Sequence, residues 1–308
     1  MTGAPGVAVA GPRATPAPDA PAPAAGPRRR WRPGGWRPGG WQFGGWQSGG
    51  WQSGGWRSRR WQRAVSPLTV VLLWEAAARA GALPPDKLPA PSEVLRTGWR
   101  LAADGTLGDH LVASLTRAGI GLAIGGSLAL MLGAVAGLLR LGDDLVDPPV
   151  QMARMLPHLA LVPLLIVWVG IGESMKISLV ALGAFFPLYF NTYAGIRDID
   201  ERLVEAARTC GLGHWARLRH VVLPGALPAL FLGLRLSIGA AWLSLVVGEQ
   251  TNAERGIGFL MMEAREFSQT DVVVLGLFVY ALLGLLSDLL LRFAERRTLQ
   301  WRRGLRAA

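Results

Sequence analysis

ASLTRAGIGLAIGGSLALMLGAVAGL, residues 113–138, carries one charged side chain, Arg117, in 26 residues. A helix needs ~20 predominantly apolar residues to cross the hydrocarbon layer of a bilayer, and this stretch exceeds that. Its small residues are also regularly placed. Gly121, Gly125, Ala129, Gly133 and Gly137 recur at every fourth position, which puts them on one helical face. A row of small side chains lets two helix backbones approach closely where lipid gives no hydrophobic drive to associate. The spacing predicts a packing face, either within the subunit or at a seam between two copies. Glycine is abundant here, with 40 in 308 residues, but abundance alone does not produce a strict interval of four.

Five further apolar stretches lie at 66–83, 151–170, 175–194, 226–247 and 271–291. The pattern predicts an all-α polytopic membrane protein with six spans. Composition agrees: the chain is 51% hydrophobic and 17% charged, against about 25% charged in soluble domains. The stretch 66–83 is the shortest in apolar content and contains Glu75, so an amphipathic surface helix is its alternative. Pro157 and Pro163 lie within 151–170, just beyond Asp147 and Pro148, Pro187 lies within 175–194, and Pro224 and Pro228 frame the entrance to 226–247. Proline removes a backbone donor and bends a helix, which a membrane protein tolerates where neighbours cover the freed carbonyls. Bent helices can line a pathway that opens and closes, or be ordinary irregularities of a bundle.

The net charge of +11 suggests nucleic acid until its position is considered. Residues 1–63 hold ten arginines against the single acid Asp19, leaving only +2 for the rest. This segment is Ala/Pro-rich and then repeats WRPGG, WRPGG, WQFGG, WQSGG, WQSGG. A period of five with paired glycines fits neither helix nor strand. The expectation is a disordered, low-complexity tail, with adhesion of Trp and Arg to lipid headgroups or stacking on bases as alternatives. No early apolar run resembles a signal peptide. Further along, basic residues cluster before 66–83, after 113–138 (Arg140), in the loop 195–225, and after 271–291. With six spans, the positive-inside rule puts all four clusters and both termini in the cytoplasm. The domain plan is a tail over 1–63, a membrane domain over 64–295 and a basic cytoplasmic tail over 296–308.

The loop 195–225 departs from its surroundings. EAARTCGLGHWARLRHVVLP (205–224) is basic, amphipathic and broken by Gly211 and Gly213. Asp198 followed by Glu201 resembles a capping box for a first short helix, and HWARLRHVV predicts a second. In the second, Trp215 lies on an apolar face, with Arg217 and Arg219 available to a polar partner. Read alone, the segment resembles a helix-turn-helix. It is short, tethered at both ends beside the bilayer and sparsely charged, so nucleic acid is not the expected partner. Two helices tied to flanking spans form a lever for a cytoplasmic partner instead.

Chemistry is hard to place in this chain. It has one cysteine, Cys210, and four scattered histidines, His110, His158, His214 and His220. It contains no G-x-x-x-x-G-K-[ST] phosphate loop and no H-E-x-x-H pair. No catalytic, cofactor or metal site is expected, and any ATP and Mg used in transport would be bound by another chain.

The loop resembles the EAA motif of ABC importer permease subunits, carried here by Glu205, Ala206, Ala207, Gly211, Val221, Leu223 and Pro224. DPPVQMARMLPHLALVPLLIVWVGIGES, FFPLYFNTYAGIRDID and LPGALPALFLGLRLSIGAAWLSLVVGE extend the likeness to the nitrate/sulfonate/taurine branch, in particular its aliphatic sulfonate permeases. The likeness covers roughly residues 64–295 and leaves out the Trp–Gly repeats. It implies a six-helix type I ABC importer transmembrane domain in the plasma (inner) membrane. It further implies a homodimer, two cytoplasmic ATPases, and a periplasmic or lipid-anchored binding protein that delivers substrate outside. The EAA segment would dock in the ATPase and couple its closure to alternating access. Arg154 and Arg235 are candidate pathway cations for a fixed anion such as a sulfonate, or else anchors and packing partners. Asn191 and Tyr193 are candidates for the inner vestibule, and Glu249 for an outer contact with the binding protein. Taurine, nitrate and bicarbonate remain alternative cargoes, and a membrane structural or sensory subunit is the alternative class.

Overall fold

A computed structural model describes residues 56–84 and 86–301. Helix α1 spans Trp56–Arg79, α2 Pro91–Ala103, α3 Thr106–Leu138 and α4 Arg140–Ala153; a 3₁₀ turn, His158–Leu161, leads into α5, Val162–Val169. Next come α6, Glu173–Arg197, α7, Glu201–Thr209, and α8, His214–Arg217. A π-turn, Leu218–Val222, joins α8 to α9, Leu223–Asn252, which is followed by α10, Ile257–Glu266, and α11, Thr270–Thr298.

The centre of the bundle is α6, with α3 on one side and α9 on the other. Ala118 of α3, Val180 and Ala184 of α6, and Ala241 and Leu245 of α9 form one buried cluster. Ala129, Ala136, Leu188 and Tyr189 form a second along the same seam. The small-residue row explains how close this seam is. A Cβ on Gly125 would run into the Ala181 backbone, and Cβ atoms on Gly121, Gly133 and Gly137 would meet Val180, Thr192 and Ile196. Ala129, the remaining member, is fully buried. All five therefore lie against α6 of the same chain. Outward, Ile124, Leu128 and Met131 of α3 and Leu282, Leu285, Leu289 and Phe293 of α11 are exposed. Long helices with apolar outer faces suit lipid as the surrounding solvent.

Of the six expected spans, four to five are shown among the described residues. Among the described residues, four helical stretches are long and apolar enough to cross a membrane: Thr106–Leu138, Glu173–Arg197, His214–Asn252 and Thr270–Thr298. The stretch 151–170 is not one helix. Arg140–Ala153 and His158–Val169 meet at an 80° bend, and counting the pair as one span makes five. Pro157 accounts for the break, since it disfavours helical backbone in the residue before it and cannot donate to the turn. Residues 66–79 of the stretch 66–83 belong to α1, which begins with the arginine-rich WRSRRWQR and ends at Arg79. Its apolar part is correspondingly short. Helix α1 starts at Trp56, within the segment 1–63. Residues 1–55, including the Trp–Gly repeats, and the tail beyond 301 lie outside the described residues.

Candidate functional site

Local rules account for each turn of the loop between α6 and α9. Asp198 closes α6, its N–H donating to Ala194 O at 2.8 Å. The cap of α7 is Asp200 rather than Asp198: its carboxylate accepts from Arg202 N at 2.9 Å. Asp200 holds the extended backbone an N-cap requires, whereas Asp198 is still committed to α6. Helix α7 ends in a Schellman motif. Gly211 N donates to Arg208 O at 2.9 Å, and Leu212 N to Ala207 O at 3.0 Å. Gly211 adopts φ +78°, a left-handed conformation that costs other residues about 1–2 kcal/mol. The glycine of the EAA segment is thus a backbone requirement.

Ala207 is buried, while Glu205, Ala206, Arg208 and Cys210 are exposed. Trp215 is 74% exposed and Leu203 59% exposed. Arg219 is exposed, whereas Arg217 is half-buried and donates from Nη2 to His214 Nδ1 at 2.8 Å. Val221 and Pro224 are half-buried, and Leu223 is exposed. The second short helix does not stop before the fifth apolar stretch. It passes through the π-turn, where Leu223 N reaches back five residues to Leu218 O, and continues as α9. A widened turn directly before Pro224 relieves the clash a proline makes with the carbonyl four residues earlier. The exposed loop and a membrane-crossing helix are therefore one continuous rod from His214 to Asn252.

The four candidate pathway residues are each engaged with a different partner. Arg154 lies in the break after α4, its guanidinium 4.6 Å from the Phe190 ring centre. Asn191 Nδ2 donates to Pro187 O at 2.7 Å. Tyr193 Oη donates to Asp143 at 2.6 Å, and Arg197 pairs with the same carboxylate. Arg235 is paired with Asp288 at 3.0 Å and Glu295 at 2.8 Å, both on α11. Its charge is thus offset within the chain. An apolar cavity of about 500 Å³ opens beside the break, lined by Gly125, Ala153, Leu165, Phe185 and Phe186 among others.

A polar cluster at the opposite end of the bundle escaped the sequence reading. Glu249 is 1% exposed, so the expectation of an outer contact through this carboxylate is overturned. It accepts from Ser114 Oγ at 2.8 and 2.9 Å, Arg117 Nη1 at 2.7 Å, Gly258 N at 2.9 Å and Tyr280 Oη at 2.9 Å. One carboxylate thereby ties α3, α9, α10 and α11 together. Arg117 turns its other edge to Glu173, and Lys176 donates to the same carboxylate. The available signal was the isolation of Arg117 within an apolar span, since an intramembrane charge needs a partner. Sequence spacing does not identify that partner across 132 positions. Among the described residues no group of His, Cys, Asp or Glu is arranged to hold a metal ion.

Comparison with known proteins agrees with the motif. Residues 128–300 match the family described as "Binding-protein-dependent transport system inner membrane component". The putative aliphatic sulfonates transport permease protein SsuC of Escherichia coli is 49% identical over 76% of this chain and 89% of its own length. Its counterpart in Bacillus subtilis is 42% identical over 77% and 86%. The taurine transport system permease protein TauC of Escherichia coli is 36% identical over 77% and 89%. Neither the matches nor the family describe catalysis; they describe transport. The chain belongs to the family of binding-protein-dependent transport system inner membrane components, as an ABC-transporter permease of the nitrate/sulfonate/taurine branch.

Proposed function

We propose that this permease carries aliphatic sulfonates, or a closely related small anion, into the cytoplasm as a homodimer served by two ATPase subunits and an external binding protein. The 49% identity to a protein named for aliphatic sulfonates, against 36% to one named for taurine, favours the former cargo. The observation that carries the coupling mechanism is the rod from His214 to Asn252. An ATPase that grips α8 moves α9 with it, because α8 runs into the span without a break, while α7 is tied to α8 through the Gly211 turn. Glu205, Arg208 and Trp215 offer the exposed surface for that grip, and Gly211 sets the angle between the two short helices. ATP and Mg are bound by the ATPase. In this reading α1 crosses the inner membrane as a sixth span, both termini are cytoplasmic, and the loop end of the bundle faces inward.

Reconstitution tests this. Proteoliposomes holding the permease, its ATPase and the binding protein should accumulate labelled alkanesulfonate only when all three and ATP are present. Accumulation by the permease alone would reject the ATP-driven reading. Uptake of taurine or nitrate in preference to alkanesulfonates would reject the cargo.

A further inference from the structure

The bundle end opposite α7 holds two buried cations and only one buried anion. Arg117 is 6% exposed, Lys176 2% and Glu249 1%. Glu249 has no spare capacity, with Ser114, Arg117, Gly258 and Tyr280 already on its two oxygens. The second negative charge comes from the rim. Glu173, whose side chain is 58% exposed, reaches in to Arg117 and Lys176. It is the first residue of α6 and follows the turn Gly170–Ile171–Gly172. Rotation about its own side-chain bonds is enough to withdraw the carboxylate, with no buried helix having to shift.

Glu173 gathers three donors on its two oxygens, within a carboxylate's capacity of about four. Three N–H groups converge: Arg117 Nε donates to Oε2 at 2.6 Å, Arg117 Nη2 to Oε1 at 2.8 Å, and Lys176 Nζ to the same Oε1 at 2.8 Å. Two oxygens therefore serve three donors. A sulfonate head group presents three equivalent oxygens and one permanent negative charge. The Nε/Nη2 edge of a guanidinium is suited to two of them, and the ammonium to the third. The remaining Arg117 nitrogen, Nη1, stays on Glu249 at 2.7 Å, so the guanidinium keeps its orientation whatever occupies the other edge.

We propose that Arg117 and Lys176 form an oxyanion site at the entry face of the permease, with Glu173 as its displaceable internal occupant and the sulfonate group of the arriving cargo as its ligand. The site rests on the sulfonate reading above for the identity of the ligand, but not for its existence. Glu173 keeps the two cations paired while no cargo is present, since an unpaired buried charge is costly. The arriving anion exchanges with it, so the site changes occupant without changing net charge.

The test uses the permease–ATPase complex in lipid nanodiscs, titrated calorimetrically with methanesulfonate and with acetate. Wild type should bind methanesulfonate weakly, because the ligand competes with a tethered carboxylate. Glu173→Ala should bind it at least tenfold more tightly, with a smaller gain for acetate. Glu173→Gln, which keeps the side-chain volume, should shift in the same direction and serves if the alanine variant does not assemble. Adding Lys176→Met to either variant should remove the gain. No tightening in either Glu173 variant, or tightening that survives loss of Lys176, would overturn the site. An equal gain for acetate would overturn the three-oxygen match. Sulfonate uptake by wild type without any gain in the variants removes this site alone. The expected gain in a transporter that carries no sulfonate keeps the site and rejects the cargo reading.

Discussion

Glu249 shows what a single side chain does where there is no water to share its charge. Its carboxylate is satisfied by three side chains and one backbone N–H drawn from three other helices. Removing one member of a buried ion pair leaves the other uncompensated, at a cost of about 3–5 kcal/mol. Glu249→Gln and Arg117→Met should each lower stability by that order, read as loss of thermal midpoint in detergent. Combining the two should cost clearly less than the sum, because the second change removes a charge already stranded by the first. Additive losses, or single losses below about 1 kcal/mol, would mean that the pair does not hold the helices together. The neighbouring backbone leaves no room for error either, as a Cβ on Gly256 or Gly258 would collide with this side chain.

Among the elements, the π-turn at Leu218–Val222 is the one that transmits. It keeps α8 in line with α9 while accommodating Pro224. Inserting one alanine after Arg217, in α-helical geometry ahead of the π-turn, would rotate α8 against α9 by about 100°. The expected outcome is a folded permease whose ATPase still hydrolyses ATP but no longer drives uptake. Coupled uptake at the wild-type rate would show that the phase between α8 and α9 is immaterial. Gly211→Asp should uncouple in the same assay for a different reason, since it strains the Schellman turn and swings α7 away from α8. This loop was legible as two short helices broken at Gly211, because glycine spacing and amphipathic pattern are local properties. The apolar stretches 113–138, 175–194, 226–247 and 271–291 were legible for the same reason. The 80° break at Pro157 was harder to read. A run such as HLALVPLLIVWV looks uniformly apolar, and composition does not distinguish a straight helix from a broken one. Of the Glu249 cluster only the isolated charge of Arg117 was legible, because the partners lie on helices far apart in the chain.

For the whole molecule, the open physical question is parity. The positive-inside reading puts all four basic clusters, Arg140 included, on one side only if α1 and the bent pair α4–α5 each cross the bilayer. The chain carries its own reporter, because its only cysteine, Cys210, is exposed in the loop after α7. A membrane-impermeant maleimide should label Cys210 in inverted membrane vesicles and not in right-side-out ones. Two single-cysteine variants in a Cys210→Ser background extend the measurement. Between position 86 and Cys210 the chain passes through α3, the bent pair and α6. If the pair crosses, that is three crossings, and Asp86→Cys should be labelled only in right-side-out vesicles. If the pair is re-entrant, there are two crossings, and position 86 would be labelled from the same side as Cys210. Arg57→Cys, at the start of α1, then decides that helix. Labelling opposite to position 86 makes α1 a span, whereas labelling with it lays α1 on the surface. The proposed topology requires Arg57→Cys and Cys210 to react from the inside and Asp86→Cys from the outside. Any other combination removes either the sixth span or the bent one. The entry-face assignment of Arg117 and Lys176 depends only on Cys210, since α9 alone separates the loop from that end of the bundle.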